Sequence, residues 1–426
     1  MEIQNPKSKI QNPLRVCFVS RRFFPAISGM SVYAANLLRE LVKNSVDVTM
    51  ISQYRDDAQG KKIYGGGCPP PVTGVKTIGL ESIGEQDGGD FEADIRRLTK
   101  KIIAEHRQKP FDLLHAQYGY PTGLAALEAG RELSLPVIVS IQGGDGHWVG
   151  VNCCATHRAA MRAVLNNANE ILIGSQSFAA EVRENHDVDV SRFRIVPGAV
   201  DTTRFSPRAG WQAGEFINEN SPQILYHGRV DARKGALDLI TAFADLLGEI
   251  KIKPQLIVSG IGPDVENVKM LVAKLNLTEN VTMLGYADYE RVPEIYRRAD
   301  IFVSPTYAEG FSNTILEAMA SGLTIVSTSS VGVVDCLRDG ENGLLVAPGD
   351  IPALKIALRE ILVNHQLRQT LAANALAECR AVYSWEIIGQ QIIGIYENTR
   401  GQKPNVEWTL PTEIDSCRYR AAPHLL

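Results

Sequence analysis

The amino-acid sequence predicts an α/β fold with two domains. The chain has 426 residues, of which 45% are hydrophobic and 22% charged, enough for two domains with sizeable cores. Short apolar runs alternate with segments of helical periodicity, an order typical of parallel sheets covered by helices. Residues 206–221, rich in Pro, Gly, Asn and Glu, interrupt this alternation and are predicted to be a linker.

The first domain is predicted to run from residue 14 to residue 205. Residues 1–13 are polar and lack the apolar core of a signal peptide, so we expect a disordered leader there. The apolar run at 14–20 predicts the first strand, and apolar residues at helical spacing predict a helix at 33–43. Later strands are predicted at 48–52, 113–116, 137–141, 170–174 and 195–197, a Gly/Pro-rich loop at 64–74, and helices at about 91–108 and 123–133.

The second domain, residues 222–384, repeats the alternation of strand and helix. Its strands are predicted at 223–228, 255–259, 281–284, 300–305 and 324–327, and a helical pattern follows the first of them at 236–247. Residues 401–426 are predicted to form a loosely held tail.

The most informative stretch runs from Glu309 to Glu317. It follows the apolar run at 300–305, which is predicted to be a buried strand, and a helix is expected to open near Ser312 to Thr314 and to end at Gly322. Free N–H groups at such a helix N-terminus suit a phosphate. Two acids beside a bare phosphate would repel it, but each could bind sugar hydroxyls on either side of a diphosphate. The alternative is that both are solvated helix acids that stabilise the dipole.

A second cluster lies at the end of the strand predicted at 223–228. Gly228 and Arg229 lead to Lys234 and Gly235, in the loop at the usual ligand side of an open α/β sheet. Two cations there could neutralise a diphosphate, although most Arg and Lys side chains are surface cations. The spacing differs from a Walker loop, and no Ser or Thr follows Lys234.

Together these two clusters resemble the motifs of the family 4 retaining glycosyltransferases of the GT-B fold. Supporting segments are Phe24–Gly29, Arg194–Phe205, Val331–Asp335 and Asp339–Val346, and the resemblance extends from about residue 14 to 398. It implies two Rossmann-like, doubly wound domains that face each other across a cleft. It also implies a last helix, at 385–400, that crosses back to the N-terminal domain.

The activity implied by the resemblance is transfer of a hexosyl group from a nucleotide-diphospho-sugar, with retained anomeric configuration. The acceptor would be a glycan, a lipid-linked molecule or a small molecule. No cofactor is expected, because the nucleotide-sugar is a co-substrate, and no metal is expected, because the family generally works without one. Catalytic roles would fall to Arg229, Lys234 and Glu309. Donor-binding roles would fall to Gly29, Gly228, Gly285, Gly310, Phe311, Ser312, Asn313, Thr314 and Glu317.

The sequence departs from the family pattern at several positions. Gln142 stands where a histidine commonly lies beside the donor sugar, and His115, Asp145 and His147 are considered as substitutes. Elsewhere a glycine common in the family is replaced by Met30, an acid by Ile261, and an Asn-Gly pair by Gly198-Ala199. These departures bear on acceptor geometry and catalytic rate. They leave open two other functions of the same fold, a sugar-nucleotide epimerase and a catalytically weak nucleotide-sugar-binding protein.

A Rossmann dehydrogenase is disfavoured, because no Gly-x-Gly-x-x-Gly follows the first strand. A net charge of −4 argues against nucleic acid as a partner. Seven scattered cysteines without metal spacing indicate free thiols in a reducing compartment.

No apolar stretch reaches the roughly 18 residues of a spanning helix, so we expect a cytoplasmic protein. The cations at 96–107 lie beside Ile95, Leu98 and Ile103. This pattern suits a solvated helix face over a core stripe, or peripheral contact with the inner membrane face. The sequence names neither the donor base, sugar and acceptor nor the oligomeric state.

Overall fold

A computed structural model describes residues 13–26, 28–56, 66–84, 90–142 and 154–410. The predicted leader up to residue 12 and the tail beyond residue 410 lie outside the described residues. Asp145 and His147 lie outside them as well.

The described residues form two compact units. The first contains the described residues up to Ser140, residues 154–171 and those from Gln391 onward. The second contains 141–142 and 172–390. The chain therefore passes from the second unit to the first within its last helix. The boundaries at residues 205, 221 and 384 stay predictions.

The first sheet has seven strands in the order β3-β2-β1-β4-β5-β6-β7. Strand β1 pairs in parallel with β2 and β4, and β2 and β4 pair in parallel with β3 and β5. The carboxyl ends of these five strands therefore meet at one edge of the sheet. The strands are β1 (Arg15–Ser20), β2 (Asp47–Tyr54), β3 (Val75–Glu81), β4 (Leu113–Gln117), β5 (Val137–Ile141), β6 (Glu170–Ile173) and β7 (Phe193–Ile195).

Helix α1 begins earlier than its periodicity predicts. It runs over Gly29–Lys43, and the Ser28 side chain caps it by accepting a hydrogen bond from the Ser31 N–H at 3.2 Å. Capping by a short polar side chain satisfies an N–H that lacks a helical partner. The other helices of this part are α2 (Phe91–Gln108), α3 (Leu124–Leu133), α4 (Ala155–Asn167) and α5 (Gln176–His186).

The second sheet has six strands, and every neighbouring pair is parallel. Its order, β10-β9-β8-β11-β12-β13, changes direction between β8 and β11. Ligands of open parallel sheets bind outside the carboxyl ends at such a point. The strands are β8 (Gln223–His227), β9 (Gln255–Ser259), β10 (Val281–Gly285), β11 (Ile301–Ser304), β12 (Thr324–Thr328) and β13 (Leu344–Val346).

Both faces of this second sheet are covered. Ile301 and Val303 join one hydrophobic cluster with Phe243, whereas Phe302 between them joins another with Met319. Alternate side chains of a strand point to opposite faces, so helices cover both faces and the sheet is doubly wound. The helices are α6 (Ala236–Leu247), α7 (Val265–Lys274), α8 (Val292–Arg297), α9 (Asn313–Ala320), α10 (Ile351–Val363), α11 (His365–Val382) and α12 (Trp385–Thr399).

The basic helix face considered for membrane contact lies on α2. Ile95, Leu98 and Ile103 are buried, as the core-stripe interpretation requires. Lys101 forms an ion pair with the buried Glu105 at 2.8 Å, so this cation of the basic face is already bound to an acid one turn along the helix. Within the part of the chain that the structure describes, none of the helices has the length and apolar character needed to span a bilayer.

Gly260 provides a test of how tightly the loops after β8 and β9 are packed. Its φ is +146°, and a Cβ there would lie 1.7 Å from the Gly228 carbonyl oxygen. We expect Gly260→Ala to lower the free energy of unfolding by more than about 2 kcal/mol, because strained backbone and overlap add. Gly340→Ala is the control, because its φ is +72° and its Cβ would meet nothing within 4 Å. Chemical denaturation measures the free energy of unfolding of both variants. An equal loss of stability in Gly260→Ala and Gly340→Ala would contradict the close packing of the loops after β8 and β9.

Candidate active site

The loops at the carboxyl edge of the second sheet are joined to one another by backbone contacts. The Gly228 N–H donates to the Ser259 carbonyl at 3.0 Å, and the Tyr307 N–H donates to the Arg233 carbonyl at 2.8 Å. At Gly235, where φ is +69°, a Cβ would lie 2.0 Å from the Pro305 carbonyl oxygen. The loop after β8 and the loop after β11 therefore pack closely, as glycine at these positions allows.

Asp231 organises the cations that follow β8. Its Oδ2 lies 3.1 Å from Arg229 Nε and 3.2 Å from Arg233 Nη2. The Asp231 side chain is almost fully buried, whereas Arg229 is more than one-third exposed. The buried carboxylate therefore orients the more exposed guanidinium of Arg229 by its Nε edge.

Lys234 and Glu309 form the ion pair that connects the two sequence clusters. Lys234 Nζ lies 2.9 Å from Glu309 Oε1, and both side chains are mostly buried. Lys234 Nζ also donates to the Ala308 carbonyl at 3.3 Å. The Glu309 N–H donates to the Val331 carbonyl at 3.0 Å, so the loop is also anchored to the segment after β12.

Helix α9 begins at Asn313, within the range that the sequence predicts. Ser312 precedes it in extended conformation, and the Ser312 side chain does not cap the helix. The Ser312 hydroxyl lies 3.3 Å from the Thr314 hydroxyl instead. The first N–H groups of a helix lack helical partners, so the start of α9 presents donors and a positive dipole end next to Glu309.

Glu317 lies one turn inside α9 and is 7% exposed. The Tyr296 hydroxyl donates a hydrogen bond to Glu317 Oε2 at 2.9 Å. Burial raises the pKa of this carboxyl to about 7, although the Tyr296 hydrogen bond and the charge of Arg204 act to lower it. The two acids of the motif therefore differ, since Glu309 is ion-paired whereas Glu317 is held by a neutral donor.

Ser175, which caps α5, and the first residues of α5 support the loop that contains Gly310. The Ser175 hydroxyl donates to the Gly310 carbonyl at 3.2 Å, and the Ser177 hydroxyl accepts from the Gly332 N–H at 2.9 Å. Asp335 accepts from the Ser177 hydroxyl and from the Gln176 N–H, the latter at 2.9 Å. These contacts, all within the second unit, hold the loop that contains Gly310 and the Val331–Asp335 segment together.

Gly198, one of the departures from the family pattern, has a steric explanation. A Cβ at this position would lie 2.4 Å from Asn313 Oδ1 and 2.8 Å from a ring carbon of Phe311. The usual asparagine would fit here only if the side chains of Asn313 and Phe311 moved. Asn313 Oδ1 is buried and accepts no hydrogen bond from the described residues.

The remaining predicted site residues lie in several places. Gly285 ends β10 with φ +66° and accepts, through its carbonyl, from the Gly260 N–H at 2.8 Å. Gly29, the first residue of α1, belongs to the first unit, and a Cβ there would meet nothing within 4 Å. Gln142 directly follows β5 and is partly buried.

His115 is buried in β4 and fully inaccessible to solvent. Its Nδ1 lies 2.5 Å from the Tyr396 hydroxyl and its Nε2 lies 2.7 Å from the Ser140 hydroxyl. Burial lowers the pKa of His115 to about 3, so the ring is neutral at ordinary pH. This geometry favours a structural role and argues against the sugar-side role considered from the sequence.

Asp231 and Tyr296 were missed by sequence reasoning, and Asp335 was identified only as the end of the Val331–Asp335 segment. Asp231 stands between two cations, and this local charge pattern was a usable signal. Tyr296 acts on Glu317, 21 residues away in the sequence, so no local pattern could have identified it. Among the described residues, no group of three or more His, Cys, Asp or Glu side chains is placed to hold a metal ion.

Two family models match the chain over most of its length. The model described as glycosyl transferases group 1 matches residues 208–377, and the glycosyl transferase 4-like domain matches 28–199. The chain belongs to the group 1 glycosyltransferases of the family 4 type. The predicted family is thereby confirmed, and the glycosyltransferase class is established for this protein.

Relatives and solved structures agree with this assignment. A D-inositol 3-phosphate glycosyltransferase of Nocardioides sp. is 28% identical over 94% of this chain and 93% of its own length. Sucrose-phosphate synthase from Thermosynechococcus elongatus has a TM-score of 0.74 at 24% identity, covering 90% of this chain and 98% of that one. HepE of Anabaena, solved with UDP-glucose, has a TM-score of 0.68 at 17% identity, covering 90% and 100%. The structural likeness confirms the predicted GT-B class, with two parallel-sheet Rossmann-like domains.

The raised pKa of Glu317 predicts how stability depends on pH. A carboxyl with a folded pKa of about 7, above its ordinary value of 4.5, stabilises the fold at low pH and loses that contribution as pH rises through 7. Glu317→Gln keeps an acceptor for Tyr296 but cannot ionise. We therefore expect near-equal stability of the two proteins at pH 5. At pH 8 the variant should be more stable by up to about 3 kcal/mol.

Urea unfolding at both pH values measures this difference. Glu341→Gln is the control, because Glu341 is an exposed partner of Arg338 and its loss should give no comparable pH dependence. If the stability difference between the wild-type protein and Glu317→Gln is the same at pH 5 and pH 8, the raised pKa of Glu317 is contradicted.

Proposed function

We propose that this glycosyltransferase moves a hexosyl group from a nucleotide-diphospho-sugar to a sugar, lipid or small-molecule acceptor, with retention of anomeric configuration. The observation that carries the proposal is the Lys234–Glu309 ion pair, at 2.9 Å, beside the start of α9. It puts a cation for a diphosphate and an acid for sugar hydroxyls at one place, as a nucleotide-sugar requires.

The diphosphate is the leaving group, and negative charge grows on it as the glycosidic bond breaks. Donors that are already oriented toward this charge lower the barrier, because they need no reorganisation during the reaction. In our proposal Arg229, Lys234 and the N–H groups near Asn313 and Thr314 supply these donors. Asp231 and Glu309 keep the two cations in place before the donor binds.

The sugar and ribose would lie on either side of the diphosphate. Glu309 is fixed by Lys234 through Oε1, and its carboxylate would accept hydrogen bonds from hydroxyls of the donor sugar. Glu317 binds Tyr296 through Oε2, while its Oε1 accepts no hydrogen bond from the described residues. We propose that Oε1 accepts a hydrogen bond from a ribose hydroxyl of the donor. The loop after Gly285 would border the base.

Retention is proposed to occur by attack from the face that the diphosphate leaves. The acceptor oxygen bonds to the anomeric carbon as the bond from that carbon to the phosphate oxygen breaks, and the acceptor proton passes to the departing phosphate. No strong protein base is then needed. This agrees with Gln142 at the usual histidine position, where its amide could bind a sugar hydroxyl. We expect activity to persist in EDTA.

Replacing the cations tests the electrostatic role. Lys234→Met should lower kcat at least about 100-fold, because one preorganised donor to the developing charge is lost. Arg229→Ala should act in the same direction. Lys355→Met is the matched control, since it removes a surface partner of Glu249 in the same unit and should leave kcat unchanged. Turnover is measured with a panel of nucleotide-sugars and acceptors, and nuclear magnetic resonance gives the anomeric configuration.

Unchanged turnover in Lys234→Met and Arg229→Ala would contradict the assignment. A thermal-shift screen of nucleoside diphosphates and their sugars selects the donor for these assays, because a ligand stabilises the state that it binds. Donor binding without transfer to any acceptor would instead favour the catalytically weak binding protein. An inverted product would overturn the retaining mechanism.

A further inference from the structure

His227 is the last residue of β8, where the strand order of the second sheet changes direction. Ligands of open parallel sheets bind beyond the carboxyl ends of the strands at such a point. Gly228 and Arg229 follow His227 directly, and Arg229 is one of the cations proposed to bind the diphosphate. His227 therefore lies at the edge of the candidate donor site.

The alternation of side chains along β8 turns His227 toward Tyr296. Leu225, two residues earlier on the same face, belongs to the hydrophobic cluster that contains Tyr296, whereas Tyr226 belongs to the cluster on the other face. The rings of His227 and Tyr296 meet edge to face, with centroids 5.5 Å apart and planes at 67°. His227 is thus packed against the tyrosine whose hydroxyl holds Glu317.

Tyr296 connects His227 with the first turn of α9 and with Glu317. The Tyr296 hydroxyl donates to Glu317 Oε2 at 2.9 Å, and it also lies 3.2 Å from the Thr314 carbonyl oxygen. Glu317 is proposed to bind ribose, and Arg229, on the other side of His227, is proposed to bind the diphosphate. His227 therefore lies between residues that would bind two neighbouring parts of one nucleotide.

The imidazole of His227 is neutral at ordinary pH, because burial lowers its pKa to about 4. A neutral imidazole has one N–H donor and one bare nitrogen that accepts. The Nδ1 atom lies 3.0 Å from the hydroxyl oxygen of the fully buried Ser259, so this nitrogen is already used. The hydrogen bond to Ser259 and the contact with Tyr296 together fix the orientation of the ring.

The other ring nitrogen, Nε2, is available for a ligand. Among the described residues it has no hydrogen-bond partner, and it is not one of the fully buried polar atoms that lack one. The His227 side chain as a whole is only partly buried. A neutral nitrogen suits a hydroxyl, which can donate to it or accept from it, whereas a phosphate binds cations better. Ribose is the hydroxyl-bearing part of a nucleotide next to the diphosphate.

We propose that His227 Nε2 forms a hydrogen bond with a ribose hydroxyl of the nucleotide donor, so that the site selects ribonucleotides over deoxyribonucleotides. The inference rests on the proposed function, which makes a nucleoside diphosphate the ligand of this edge. It adds a contact from β8 to the one proposed for Glu317 on α9. Two contacts from different elements would fix the orientation of the ribose.

Two substitutions separate the ligand contact from the packing of the ring. His227→Asn keeps a polar atom where Nδ1 meets Ser259 but has none at the place of Nε2. His227→Gln keeps a polar atom near the place of Nε2. We expect His227→Asn to weaken ribonucleotide binding about tenfold and His227→Gln less than about threefold, because only the first loses the hydrogen bond to the ligand.

Isothermal titration calorimetry with UDP, GDP and ADP measures this binding, and the tightest binder is then compared with its 2′-deoxy and 3′-deoxy forms. The wild-type protein should bind one of the deoxy forms at least about tenfold more weakly than the ribonucleotide. In His227→Asn this ratio should fall several-fold, because the hydroxyl and its partner form one coupled pair. His365→Asn is the control, since His365 is exposed at the start of α11 in the same unit and its loss should leave binding unchanged.

Three results would overturn the inference while the proposed function stands. They are equal binding of the ribonucleotide and both deoxy forms by the wild-type protein, an unchanged preference for ribose in His227→Asn, and equal weakening in His227→Asn and His227→Gln. The last result would mean that only the ring against Tyr296 matters. The first needs no variant, so it remains decisive if a substitution prevents folding. Failure of the wild-type protein to bind any of the three nucleotides would contradict the proposed function as well.

Discussion

The ion pair between Lys234 and Glu309 is the interaction on which the second-unit site depends. It spans two loops that follow neighbouring strands, and it fixes one cation and one acid within 2.9 Å of each other. Gly235, directly after Lys234, lets the loop after β8 pack closely against Pro305 in the loop after β11, because a Cβ there would lie 2.0 Å from the Pro305 carbonyl oxygen. The pair also keeps a mostly buried lysine and a mostly buried glutamate from being left without an answering charge. A bound diphosphate would then enter a site whose charges are already oriented.

If Glu317 binds the donor, as we propose, function and stability compete within α9. Its burial against Tyr296 raises the pKa of the carboxyl to about 7, so ionisation at neutral pH costs folding free energy. An apolar residue or glutamine at that position would stabilise the fold more at neutral pH. The presence of an acid is explained if its carboxylate accepts hydrogen bonds from a ligand, because these bonds would offset the cost of ionising the buried carboxyl when the donor is bound. Local strain or instability of this kind is common where binding groups are prepared in advance.

The sequence predicted the strand, loop and helix of residues 301–320 well, because an apolar run, a polar loop and a helix-ending glycine are local signals. It also identified Lys234 and Glu309 as separate candidates. It could not pair them, since 75 residues separate them. Strand β3 was missed because its residues are only partly buried and no apolar run marks it. Nothing in the sequence indicated that His115 is buried, so it was considered for binding the donor sugar. Strand β4 lies between β1 and β5, however, and a central strand that is covered on both faces buries its side chains.

A crystal structure of the protein with a bound nucleoside diphosphate tests the central claim most directly. The account predicts diphosphate oxygens within about 3 Å of Arg229, Lys234 and the N–H groups at the start of α9. It also predicts a hydrogen bond from a ribose hydroxyl to the Glu317 carboxylate. A diphosphate bound away from Arg229 and Lys234, with the Lys234–Glu309 pair remote from the ligand, would contradict it.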